Sequence, residues 1–102
     1  MASFPMCTYI GNSAFHRCNN LSMISFPECL SIDNRAFMSI SNLVSVYIPK
    51  CQIISTYTFE KCGFSQISLP ELTAVGAGGF VRCPNLFEIN LPKCETLSSF
   101  AF

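Results

Sequence analysis

The chain has 102 residues, half of them hydrophobic and 12% charged, with six basic residues balanced by six acidic ones. So apolar a composition excludes a disordered segment, and an even charge balance without a basic stripe excludes the electrostatics that nucleic acid requires. No apolar stretch approaches the roughly 20 residues of a membrane-spanning helix, and Met1 to Phe4 lacks the charged and apolar regions of a secretory signal.

Two residue types recur in step along the whole chain. Pro5, Pro27, Pro49, Pro70 and Pro92 are spaced by 22, 22, 21 and 22 residues, and Phe15, Phe37, Phe59, Phe80 and Phe102 keep the same intervals. A period of this length predicts a stack of units, each with an apolar face that only a neighbouring copy buries. The units are 5–26, 27–48, 49–69, 70–91 and a partial 92–102, about 4.5 units of 21–22 residues in one array over residues 1–102.

Within each unit the elements follow in a fixed order. The proline opens a short extended stretch that ends at Ile10, Ile32, Ile54, Val75 or Leu97. Small polar pairs follow, Gly11-Asn12, Asp33-Asn34 and their counterparts, which form turns and helix caps. A single helical or 3₁₀ turn is expected next, carrying Ala14-Phe15 or its equivalent. Small residues (Ala14, Ala36, Thr58, Gly79, Ala101) precede every repeat phenylalanine, so backbone packs closely there. Alternation such as Val46-Tyr47-Ile48 then predicts a strand with one buried face, ending at the next proline and pairing in parallel and in register with its copies. The third unit is one residue short between Cys62 and Ile67, where a turn absorbs the deletion.

Seven cysteines in so short a chain raise a disulfide framework or a metal site, but the number is odd and no C-x-x-C pair occurs. Cys7, Cys29, Cys51 and Cys94 lie two residues after a proline, and Cys18, Cys62 and Cys83 three after a phenylalanine. Positions in register with the core are core positions, where a free thiol packs as a small hydrophobe. Strung along the stack, these sulfurs do not converge as zinc ligands must. The single histidine, His16, faces outward by phase and has no carboxylate beside it in sequence, so a Cys18–His16 nucleophile pair is not assigned. Asn20, Asn42 and Asn85 recur where a side-chain amide can satisfy backbone groups as the turn ends. Glu28, Lys50, Glu71 and Lys93 alternate in sign after successive prolines and predict a charge ladder along one edge. Arg17, Lys61 and Arg82 share a column that reads as solvated charge, with a gap at Ser39. Asn20-Leu21-Ser22 is a glycosylation sequon, relevant only in a eukaryotic secretory setting.

The pattern L-x-x-I-x-[IL]-P-x-C-x-x-I-x-x-x-A-F-x-x-C-x-x-L, clearest around residues 27–48 and 70–91, resembles the BspA-like leucine-rich repeats of bacterial surface proteins, over nearly the whole chain. Ile40 and Leu72 stand where cysteines are expected, and Thr58 and Gly79 replace the alanine. The resemblance implies a repeat solenoid: a right-handed superhelix with a parallel β-sheet on its concave side and short extended or 3₁₀ segments on its convex side. It also implies adhesion or protein recognition, often at a cell surface.

No acid, base and nucleophile set is evident, so no catalytic, cofactor-binding or metal-binding residue is assigned. The expected role is a non-enzymatic recognition or adhesion module of a larger extracellular, cell-surface or virion-associated protein. A purely structural spacer or scaffold segment is the alternative. A protein or glycan ligand is expected on the outward positions of the concave strands, where identity varies between units: Met23, Ser25, Val44, Ser45, Tyr47, Gln66, Ser68, Phe87, Glu88 and Asn90. The absence of polar capping units predicts an excerpt of a longer array, or end-to-end self-association through uncapped repeats.

Overall fold

Each repeat proline turns the chain. In a computed structural model that describes residues 2–102, the residue before the proline accepts a hydrogen bond from the N–H three positions on: Cys29 to Phe26 at 3.2 Å, Cys51 to Ile48 at 3.1 Å, Leu72 to Leu69 at 3.2 Å and Cys94 to Leu91 at 3.2 Å. Proline suits the second position of such a turn because its ring presets φ there.

The turns separate ten short strands: β1 (Ala2–Ser3), β2 (Tyr9–Ile10), β3 (Met23–Ser25), β4 (Ser31–Ile32), β5 (Ser45–Tyr47), β6 (Ile53–Ile54), β7 (Gln66–Ser68), β8 (Ala74–Val75), β9 (Glu88–Asn90) and β10 (Thr96–Leu97). Odd-numbered strands line one wall of the coil and even-numbered strands the other. All pairing is parallel, and each strand meets its counterpart one repeat away, as in Ile24 opposite Val46 and Ile32 opposite Ile54. The result is a β-solenoid of about four turns. The even strands form one continuous five-stranded sheet, β2-β4-β6-β8-β10.

The helical or 3₁₀ turn expected around each phenylalanine does not form, and among the described residues there is no helix. Two residues per turn of the coil instead take positive φ. Ser13, Arg35, Tyr57, Gly78 and Phe100 make one column and Arg17, Ser39, Lys61 and Arg82 another, all between 54° and 65°. This backbone directs N–H groups toward the next coil. Ser13, Phe15 and Arg17 donate to the carbonyls of Asn34, Ala36 and Met38 at 2.9, 2.7 and 3.0 Å, and the pattern continues to Phe80 and Ala101 at 2.8 Å. A helix would use those donors internally, so the stack gains a third ladder at its expense.

Inside, the repeat phenylalanines form a column of parallel rings. Centroids are 5.2 Å apart for Phe15–Phe37, 5.4 Å for Phe37–Phe59, 5.6 Å for Phe59–Phe80 and 5.4 Å for Phe80–Phe102, with interplanar angles of 3° to 10°. Leu43, Phe64, Ile24, Ile67, Ile48 and Leu69 complete the buried core around the column. Thr58, in the small-residue position, is fully buried and satisfies its hydroxyl on the carbonyls of Ser55 and Asp33.

One expectation about the stack fails at a single junction. The strands of the first wall do not all pair: β1-β3-β5 form one sheet and β7-β9 another, with no ladder between β5 and β7. The cause is the missing residue in the third unit. Asn42 and Asn85 each reach back one coil, to the carbonyls of Asn19 at 3.0 Å and Gly63 at 3.3 Å. The third unit has Gly63-Phe64 and no asparagine to make that tie. Its shortened turn presses on the coil below, so that a Cβ on Gly63 would sit 2.0 Å from the Ser41 carbonyl oxygen. The turn does not absorb the deletion silently; it opens a seam in the wall.

Candidate recognition face

The pleat directs Ile24, Val46, Ile67 and Ile89 inward and leaves their neighbours on the outer face of the first wall. Of the ten positions expected to form a binding face, nine are exposed and Ser25 is half-buried. The large apolar ones stand well clear of the core: Met23 is 42% exposed, Tyr47 57%, Val44 59% and Phe87 77%.

Seven of the ten meet in one groove of about 530 Å³, which crosses the seam. Val44, Ser45 and Tyr47 form one bank; Gln66, Ser68, Glu88 and Asn90 form the other. Met23 and Ser25 lie outside it, and Phe87 lines a separate depression with Phe80, Leu86 and Phe102. The first bank is thus mainly apolar. The second is polar, with Asn90 Nδ2 at 3.5 Å from Ser68 Oγ, and Glu88 has no ion-pair partner among the described residues.

The edge charges form pairs, not a ladder. Lys50 Nζ lies 2.9 Å from Glu28 and Lys93 Nζ 3.0 Å from Glu71, but Lys50 and Glu71 do not meet. The unmade contact falls at the seam. The basic column also departs from expectation, since Arg82 Nη1 is 2.7 Å from Glu60 Oε2, whose side chain is only 5% exposed. Glu60 escapes sequence reasoning because its column otherwise holds His16, Met38 and Val81; a carboxylate one coil before an arginine was the available signal. His16 does not face outward as its phase suggests: it is half-buried, and its Nε2 has no hydrogen-bond partner.

All seven cysteines are free. Burial pushes the Cys29 thiol up to about 11 and the Cys51 and Cys62 thiols to about 12, and raises that of Cys83. These thiols are packing groups that donate to backbone: Cys29 to Ser31 at 3.4 Å within its own coil, Cys62 to Phe37 and Cys83 to Phe59 at 3.1 Å across coils. The expected burial holds fully for Cys29, Cys51 and Cys62 alone; Cys7, Cys83 and Cys94 are half-buried and Cys18 is exposed. Among the described residues no three His, Cys, Asp or Glu side chains converge as a metal site would need.

On the back edge, the Tyr9 hydroxyl donates to Asp33 Oδ2 at 2.7 Å, which holds the carboxyl below its usual range and raises the phenol.

A stack of parallel coils around an aliphatic and aromatic core, with no helix among the described residues, is a repeat solenoid. The family model described as "BspA type Leucine rich repeat region (6 copies)" matches residues 8–102, and the chain belongs to that family. In structure it is similar to a leucine-rich repeat protein from Bacteroides ovatus ATCC 8483, with a TM-score of 0.64 and 21% identity. That match covers 89% of this chain and 33% of the other. No curated protein matches it in sequence.

Proposed function

We propose that the chain is a non-enzymatic recognition module that binds a protein through the outer face of the odd-numbered strands. One observation carries this reading: Val44 and Tyr47, both more than half exposed, face Gln66, Ser68 and Glu88 across a groove. An exposed tyrosine is among the residue types that anchor interfaces, and polar side chains form the rim around such anchors. Leucine-rich repeats commonly mediate protein binding, and BspA-like repeats often occur on surface proteins, which supports a role in adhesion outside the cell.

The test uses beads carrying the chain or its Tyr47→Ala/Phe87→Ala variant, offered an array of purified cell-surface and matrix proteins. Both side chains are exposed, so the variant keeps its Tm. Selective capture by the parent, reduced at least tenfold in the variant, supports the reading. Capture by neither leaves a spacer whose outer face does no recognition, and equal capture by both removes the assigned face.

A further inference from the structure

The seam supplies a ligand chemistry that an ordinary face of side chains does not. At intact junctions the same backbone groups always bond across coils. The Ser22 carbonyl accepts from Val44 and Ser45 at 2.9 and 3.2 Å, and the Ser65 carbonyl from Phe87 and Glu88 at 3.0 and 3.4 Å. Phe26 N–H donates to Tyr47 at 2.9 Å, and Leu69 N–H to Asn90 at 3.0 Å. Their counterparts at the seam are the Val44 carbonyl and Ile48 N–H on one side, and the N–H groups of Ser65 and Gln66 with the Ser68 carbonyl on the other. None of these has a backbone partner across the junction. Two facing strand edges are therefore unpaired in mid-wall. The seam is closed at its Ile48 end, where that residue is 1% exposed, and open at Val44, Ser65 and Gln66.

We infer that an extended peptide docks in the groove over this seam, pairing its backbone with the open Val44 carbonyl and the N–H groups of Ser65 and Gln66. Unpaired strand edges bind extended chain in this way, with main-chain bonds supplying affinity and alternate side chains specificity. The flanking side chains specify the occupant. Glu88 is the one charged residue lining the groove and has no cation beside it, so a lysine or arginine of the peptide faces that bank. Val44 and Tyr47 take an aliphatic residue on the other. This deepens the recognition reading by naming the partner class, and rests on it only for the choice of face.

The probe is an end-blocked nine-residue peptide of alternating valine and threonine with one central lysine, followed by amide exchange and by titration. Saturating peptide is expected to slow exchange at Ser65 and Gln66 at least tenfold. Methylating alternate peptide nitrogens, or replacing the lysine by glutamate, is expected to weaken binding about tenfold or more. A chain with asparagine inserted between Gly63 and Phe64, which restores the 22-residue period, is expected to lose the site. Should that variant not fold, Glu88→Lys must instead invert the preference between lysine and glutamate peptides. Absence of binding, equal binding by the N-methylated peptide, or unchanged exchange at Ser65 and Gln66 would overturn the inference. Capture of a protein partner that depends on Tyr47 and Phe87 but survives the insertion would overturn it too, while leaving recognition by the face intact.

Discussion

Removing one ring from the middle of the aromatic column tests whether the coils are held as a stack. Phe59 has no exposed surface; it lies parallel to Phe37 at 5.4 Å and Phe80 at 5.6 Å and meets Phe64 edge-on at 5.6 Å. Truncating a buried phenylalanine to alanine costs about 3–5 kcal/mol, lost transfer energy plus cavity. Both stacked neighbours lose a partner at once, so Phe59→Ala belongs near the upper end of that range. A chain of this size has roughly 5–15 kcal/mol of total stability, and the substitution removes a large part of it. Phe102 stacks on one ring only and is 49% exposed, so Phe102→Ala is expected to cost about 1–2 kcal/mol. Urea unfolding followed by far-ultraviolet circular dichroism measures both, with the slope checked because coils can uncouple. Equal midpoints for the two variants would refute a continuous load-sharing column.

Arg82→Ala strands the buried Glu60 carboxylate and is expected to destabilise by about 1–2 kcal/mol, less than for a fully buried pair because Arg82 is itself exposed. Glu60→Gln in the same chain should recover most of that loss, and a double-mutant cycle in urea decides it. Alkylation by iodoacetamide at pH 8 should modify Cys18 first and leave Cys29, Cys51 and Cys62 untouched until the chain unfolds. The same three thiols set an alkaline limit. Their folded values, about 11 to 12, lie above the ordinary 9, so the unfolded chain loses protons first and stability falls as pH rises from about 9; flat stability from pH 8 to 11 would contradict this. In the free protein the Ser65 amide should exchange at least tenfold faster than those of Val44 and Phe87, which bond across intact junctions.

The repeat itself is legible because packing imposes it: a ring that must lie on the ring below cannot drift in sequence, and a turn after Phe26, Ile48 or Leu69 repeatedly selects proline. The inward Ile24, Ile67 and Ile89 and the cross-coil amides of Asn42 and Asn85 follow from the same columns. The left-handed columns were illegible because Ser13, Arg35, Tyr57, Arg17 and Lys61 are not the residues that ordinarily signal positive φ; the inter-coil bonds of the third ladder offset a cost of roughly 1 kcal/mol for each. Periodicity pointed His16 outward because it locates a residue's phase within a unit, not what the neighbouring coil places over it. Of the ten face residues, phase alone located nine as exposed, but which seven share a groove depends on the seam, a consequence of Gly63 and not of any face residue.

Why a deletion is tolerated in the middle of one wall follows from the other. At the third coil Ile53 and Ile54 still pair with Ala74 and Val75, Phe59 N–H still reaches the Gly79 carbonyl at 2.8 Å, and Phe64 fills the core edge-on to Phe59 and Phe80. The back sheet, the turn ladder and the aromatic column therefore keep the coils in register while the front wall parts. A bulkier ring at position 64, where the other units have leucine, packs into the space beneath the shortened turn. With register held elsewhere, the front wall is free of the requirement to pair at this one junction, and the edges of β5 and β7 part there without cost to the rest of the stack.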